Sequence, residues 1–209
     1  MRRSCGFHRG GLAVALALAL GCGTSCRVRE PAPAPEATAS PVRFYHERVT
    51  VEPSERRTRV VGIYDFRNES DAPADVTIRY PFPVDRHHLY PFLVRVHEEV
   101  AGVMEPLGFI RVDPDIAWRL SFAPREQKRV RVEYVQEIRE RRAVYIVTTT
   151  RGWGRPIELA EFEFRVPASL RGVTLSIEPD TVESRGDTVV YRIALTDFMP
   201  DSELVLSWD

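Results

Sequence analysis

The sequence predicts an all-β fold, an antiparallel β-sandwich of about ten strands that follows an export signal and a Pro/Ala-rich tether. Three observations carry this reading. From residue 42 onward apolar residues recur at every second position, the period of a strand with one buried face. Turn signals rich in Pro, Gly, Asp and Asn separate those runs at short intervals. The composition, 44% hydrophobic and 28% charged, is that of a globular domain, which excludes a disordered chain or a multi-span membrane protein.

The elements follow in chain order. Arg2, Arg3 and Arg9 precede an uncharged apolar run of nine residues, 12–20. As a helix it spans about 14 Å, too short for a hydrocarbon core of about 30 Å and suited to a secretory signal. The stretch Leu18-Ala19-Leu20-Gly21-Cys22 resembles the lipobox of bacterial lipoproteins, with Ala19 where leucine is commonest. The resemblance implies cleavage after residue 21, lipid on the Cys22 sulfur and attachment to a membrane through acyl chains such as palmitate. Gly23 rather than Asp follows Cys22, which implies the periplasmic face of the outer membrane. The alternative is an ordinary signal peptide cut nearby; Cys26 is a poorer lipid site, because Gly23-Thr24-Ser25 lacks an apolar residue.

Residues 22–41 are the lipidated cysteine and a tether in which Pro31, Pro33, Pro35 and Pro41 space small residues, a composition that stays extended. Residues 42–209 are the folded domain, and they contain no cysteine, so neither disulfide nor thiolate chemistry operates there. Without residues 1–21 the chain carries 26 Lys+Arg against 30 Asp+Glu, a net −4. Lys128 is the only lysine. That balance argues against a nucleic-acid partner, which requires a basic face.

Seven runs alternate cleanly, beginning with Val76, Ile78, Tyr80, Phe82 and Val84, and then Ile116, Trp118, Leu120 and Phe122. Val130, Val132 and Tyr134 follow, then Ala160, Phe162, Phe164 and Val166. The last three are Val173, Leu175 and Ile177; Val189, Tyr191, Ile193 and Leu195; and Leu204, Leu206 and Trp208. Residues 42–51, 60–66 and 144–149 are noisier but rich in β-branched and aromatic residues. Val96, Val100, Val103 and Leu107 fall at helical spacing, interrupted by Gly102 and Pro106, so a short helix or an irregular crossing is expected there.

The stretch from Tyr64-Asp65-Phe66-Arg67-Asn68 to Tyr80-Pro81-Phe82-Pro83 resembles the "Phe-x-Asn … Phe-Pro-x-Pro" region of vault/inter-alpha-trypsin (VIT) domains, although Val84 follows Pro83 and breaks the second pattern. It also resembles an uncharacterised family of exported bacterial β-proteins, as does the later Tyr145-Ile146-Val147-Thr148-Thr149 … Trp153 … Pro156-Ile157. The resemblance implies a β-sandwich serving as an extracytoplasmic scaffold or interaction module, and it carries over no catalytic residue.

The chemistry-bearing residues are sparse. His97-Glu98-Glu99 begins like a zincin helix, but the position of the second histidine is Ala101. A looser metal site from His46, His87, His88 and His97 meets the objection that adjacent residues of a strand face opposite ways, and solvated loop histidines are expected. Asp113 and Asp115 flank Pro114 in a turn and fall short of the six to eight oxygens that calcium takes. No Gly-x-Ser-x-Gly nucleophile elbow is present.

Trp153 between Gly152 and Gly154 either stacks on a ligand, rimmed by Arg151 and Arg155, or folds back to cap the open end of the sandwich. Tyr80-Pro81-Phe82 and Tyr90-Pro91-Phe92 are expected at strand ends or an edge. The resulting expectation is a lipid-anchored, non-catalytic interaction or assembly module of the cell envelope. It meets a membrane through Cys22 and an envelope protein or glycan through its domain, needs no cofactor or metal, and has Trp153, Arg151, Arg155, Tyr90 and Phe92 as candidate contacts. The alternatives are a carbohydrate- or peptide-binding lipoprotein and a metal- or carboxylate-dependent envelope hydrolase.

Overall fold

The computed structural model describes residues 40–209; the signal peptide, Cys22, Cys26 and nearly all of the tether lie outside the described residues. The strands in chain order are β1 (Val42–Pro53), β2 (Arg57–Asn68), β3 (Ala74–Tyr80), β4 (Leu93–Val100), β5 (Val103–Pro106), β6 (Ile110–Val112) and β7 (Asp115–Phe122). After them come β8 (Gln127–Glu137), β9 (Arg142–Tyr145), β10 (Ile157–Pro167), β11 (Thr174–Leu175), β12 (Thr181–Arg185), β13 (Thr188–Phe198) and β14 (Leu204–Ser207). A 3₁₀ turn, Thr148–Trp153, separates β9 from β10.

The strands form an all-β sandwich. One layer is an eight-stranded sheet in the order β12-β13-β10-β1-β2-β8-β4-β5. Across its inner face lie two three-stranded sheets, β11-β14-β9 and β3-β7-β6. The alternation read from the sequence is the alternation that packs the core: Val60, Tyr64 and Phe66 of β2, Val130, Val132 and Tyr134 of β8, and Phe162 and Phe164 of β10 are all buried. Each such side chain contributes roughly 1.5–3 kcal/mol of hydrophobic stabilisation. Aromatic pairs join the layers, Tyr80 to Tyr134 at 6.2 Å between ring centroids and Tyr145 to Phe162 at 6.2 Å.

The other face of the large sheet is an ionic lattice. Arg59 bridges Glu52 and Glu133, Arg67 holds Glu158, and Arg129 holds Asp65 with a bond of 2.6 Å. These arginines are thus engaged across strands; the more exposed pair with Glu158 contributes at most about 1 kcal/mol, while Asp65 and Glu133 are themselves buried. Among the described residues no helix is long and apolar enough to cross a membrane.

Several expectations need correction. The sheet is not antiparallel throughout, since β1 runs parallel to β10. Alternation reports which face is buried and carries no information on strand direction. The described residues form fourteen strands rather than about ten; the surplus consists of short edge or partner segments such as β6, β11 and β12. Residues 96–107 are neither helix nor irregular crossing. They lie mostly in the hairpin β4–β5, which turns on Ala101 and Gly102 with φ of 50° and 81°, the two positive values that a tight hairpin turn demands. The run at 144–149 ends as a strand at Tyr145 and continues as the 3₁₀ turn.

Candidate functional site

The site begins with a fault in β1. Val42 and Phe44 point inward, and farther along the inward set is Glu47, Val49 and Val51. The pairing with β2 slips between Phe44 and His46, which makes Tyr45 the extra residue of a β-bulge. A one-residue insertion in a period-two strand exchanges its faces. The bulge therefore carries a glutamate into the core, where Glu47 is 2% exposed. In register beside it are Tyr64 on β2 and Ala160 on β10.

Tyr64 is the hub of the site. Its hydroxyl lies 2.9 Å from that of Tyr80, the last residue of β3, and 2.9 Å from that of Tyr145, the last residue of β9. One phenol comes from each of the three sheets. The ring of Tyr64 lies over Gly62, where any Cβ would sit 1.9 Å from the Tyr64 hydroxyl oxygen. Glycine at that position is a steric requirement of the hub.

The three sheets do not close completely above Glu47. They leave a chamber of about 60 Å³ whose lining includes Phe44, Glu47, Tyr64, Tyr80, Trp118, Tyr145 and Trp153. That volume holds about four waters or a ligand of about as many heavy atoms. Larger hollows of about 450 and 510 Å³ lie elsewhere, but neither has a buried unpartnered carboxyl in its wall.

Two lining groups are buried without a hydrogen-bond partner among the described residues, Glu47 Oε1 and Trp118 Nε1. Burial pushes the Glu47 carboxyl up to about 8. Burial likewise pushes all three hub phenols above the ordinary tyrosine range, with the nearby Glu47 adding to the rise. At neutral pH the chamber is therefore lined by a neutral acid and neutral phenols, with Arg79, paired to Asp115, as its one charged residue.

The sequence-predicted residues are placed as follows. Trp153 is half-buried and folded back, its ring 6.0 Å from Phe44 and 5.6 Å from Phe66, so it roofs one side of the chamber. Glu203 fixes the turn that carries it, accepting the backbone N–H groups of Val147 and Thr148 and the Thr148 hydroxyl. Arg151 donates to the Pro200 carbonyl, and Arg155 is paired with Glu69 at 2.6 Å and donates to the Ser40 carbonyl. Tyr90 packs on Phe82 and lies under the Arg111 guanidinium, 3.7 Å from its ring centroid. Phe92 is 66% exposed, and neither it nor Tyr90 lines the chamber.

The histidines do not converge. His46 sits between Asp65 and Glu161, His87 lies near Glu140, and His97 is on β4. Against the expectation of solvated histidines, His88 is 1% exposed; its ring contacts the Asp85 carboxylate and the Arg142 carbonyl and so ties its loop to the body. Among the described residues no group of three or more His, Cys, Asp or Glu side chains is placed to hold a metal ion. Asp113 and Asp115 are engaged by Arg111 and Arg79.

Sequence reasoning missed Glu47, and the signal was present. Inward positions are even at 42 and 44 and odd at 49 and 51, a change of phase that requires an insertion between them and places 47 on the buried face. The convergence of Tyr64, Tyr80 and Tyr145 has no such trace, because it arises where separate sheets meet.

No protein-family model matches the chain, and no curated protein matches it in sequence. Among solved structures it is similar to a Legionella pneumophila protein provisionally described as nutrient binding, at 11% identity and a TM-score of 0.61, over 81% of this chain and 67% of that one. It is also similar to an M1 zinc metallopeptidase of Deinococcus radiodurans, at 14% identity and a TM-score of 0.49, over 79% of this chain and 42% of the peptidase. The chain thus spans less than half of the peptidase's length. The Legionella likeness shows the fold alone: the described chain is an all-β sandwich.

Proposed function

We propose that the protein is a lipid-anchored, non-catalytic binding module of the cell envelope whose site is the chamber around Glu47. The observation that carries the binding reading is a buried glutamate, Glu47, in the wall of a preformed cavity, with its Oε1 left without a hydrogen-bond partner among the described residues. A buried polar atom without a partner costs about 1–3 kcal/mol, a cost that a bound molecule offering a donor offsets. Anchoring is supported by Cys22 in its lipobox-like setting and by the proline-spaced tether after it.

Binding is favoured over catalysis by what lines the chamber. Glycoside hydrolysis uses two carboxyl groups, and Glu47 is the only acidic residue among those that line it. The phenols are held neutral by burial and are poor nucleophiles at neutral pH.

Two arms test the reading. In cells fed labelled palmitate, the wild-type chain should be labelled and fractionate with the outer membrane, while Cys22→Ala should accumulate as unlabelled precursor; normal processing and retention of Cys22→Ala overturns the anchor. In native mass spectrometry the wild-type protein should carry a bound small molecule that Glu47→Leu lacks. Masses that match the bare chain for both proteins overturn the binding site.

A further inference from the structure

The unsatisfied groups of the chamber describe what it binds. The three hub phenols are engaged with one another, and none of their oxygens is orphaned. The Trp118 indole N–H is an unspent donor, and the neutral Glu47 carboxyl, whose Oε1 has no partner, has both an O–H to give and an oxygen to accept. A matching ligand therefore offers both an acceptor and a donor.

Its charge is constrained as well. Anions meet a carboxyl group, and the one cationic residue in the lining, Arg79, already has its charge paired with Asp115 through Nε. An ammonium ion must leave water for a buried chamber and strip a proton from Glu47, and a buried ion pair returns little beyond its desolvation cost.

We propose that the chamber binds a small neutral carboxamide, whose N–H donates to the Glu47 carboxyl and whose carbonyl oxygen accepts from the chamber's unspent donors. This rests on the reading of the chamber as a binding site and adds the ligand's chemical class. A protonated carboxyl and a carboxamide are complementary across two parallel hydrogen bonds, the acid O–H to the amide oxygen and the amide N–H to the acid carbonyl. Ionisation of Glu47 removes one of the two. The groups beside Glu47 or lining the chamber with it are Tyr64 on β2, Tyr80 on β3, Tyr145 on β9 and the non-titrating Ala160 on β10, with Arg79 of β3 at the rim and paired to Asp115. The phenols are held well above neutrality, so Glu47 is the group that ionises in the slightly alkaline range.

The test is a titration of the full domain with acetamide, read on the Trp118 indole N–H resonance, with methylammonium and acetate as parallel probes. Acetamide is expected to shift that resonance saturably, to bind about tenfold more weakly to Glu47→Leu, and to lose affinity above pH 8 in wild type but not in Glu47→Gln. If methylammonium saturates the site and acetamide does not, the carboxamide assignment is overturned while the chamber remains a binding site. If none of the three probes moves the resonance, both the ligand class and the binding reading fail.

Discussion

Glu47 couples the stability of the domain to pH, and the coupling is measurable. The folded chain keeps the Glu47 proton up to about pH 8, because burial opposes the charge, whereas an unfolded glutamate releases it near 4.5. A group whose folded value is raised favours folding fully below the unfolded value and loses that contribution as pH rises toward the folded one. Stability should therefore fall from about pH 4.5 to about pH 8 and level off above. At about 1.4 kcal/mol per pH unit over that interval the loss sums to about 5 kcal/mol, a large share of the 5–15 kcal/mol that holds a typical domain together. Other carboxyls act in the opposite sense at low pH. Burial pushes Asp85 up, but the backbone N–H groups of His87 and His88 outweigh it and hold Asp85 down to about 2. The clean quantity is thus the difference between wild type and Glu47→Gln in urea unfolding from pH 5 to 9. Gln cannot ionise, so the variant should gain on the wild type by about 1.4 kcal/mol per pH unit until about pH 8. A difference that stays constant over the range refutes the buried-acid account.

Other perturbations reach the same site or its supports. Gly62→Ala drives a methyl into the Tyr64 hydroxyl, breaks the hub and should cost about 3 kcal/mol in chemical denaturation; a loss under about 0.5 kcal/mol would show that the hub is slack. Asn68→Ala removes the amide that donates to the Ala72 and Ala123 carbonyls and accepts the Ser70 backbone N–H and hydroxyl. A loss of about 3 kcal/mol is expected, and a neutral outcome contradicts its role as the tie between two turns. Trp153→Ala unroofs the chamber, admits water and should bring the Glu47 titration midpoint down toward 4.5; an unchanged midpoint means that Trp153 does not shield the acid.

The parts of the fold legible in the sequence are those where one face is buried and the other is wet. Runs such as 116–122 and 160–166 alternate because β7 and β10 do. β12 escaped because all five of its residues are exposed and no contrast marks a face. The β4–β5 hairpin was obscured by chance helical spacing, although Gly102 and the small residue before it were adequate turn chemistry. The sequence patterns that prompted a family resemblance have structural work in this molecule. Asn68 pins two turns, and Thr148 is held by Glu203 at the start of the turn that carries Trp153. The site was less legible for a physical reason: a glutamate between His46 and Arg48 reads as solvent-facing unless the bulge at Tyr45 is recognised, and the phenols around it meet only after three sheets pack.

The central claim is that a neutral carboxyl is held in the seam of the sandwich. Carbon-13 NMR of the Glu47 side-chain carboxyl, followed through a pH titration of the ligand-free domain, tests it most directly. A midpoint near 8 is the predicted result. A midpoint near that of a free glutamate would place Glu47 in contact with water and remove the basis for both the chamber and its ligand.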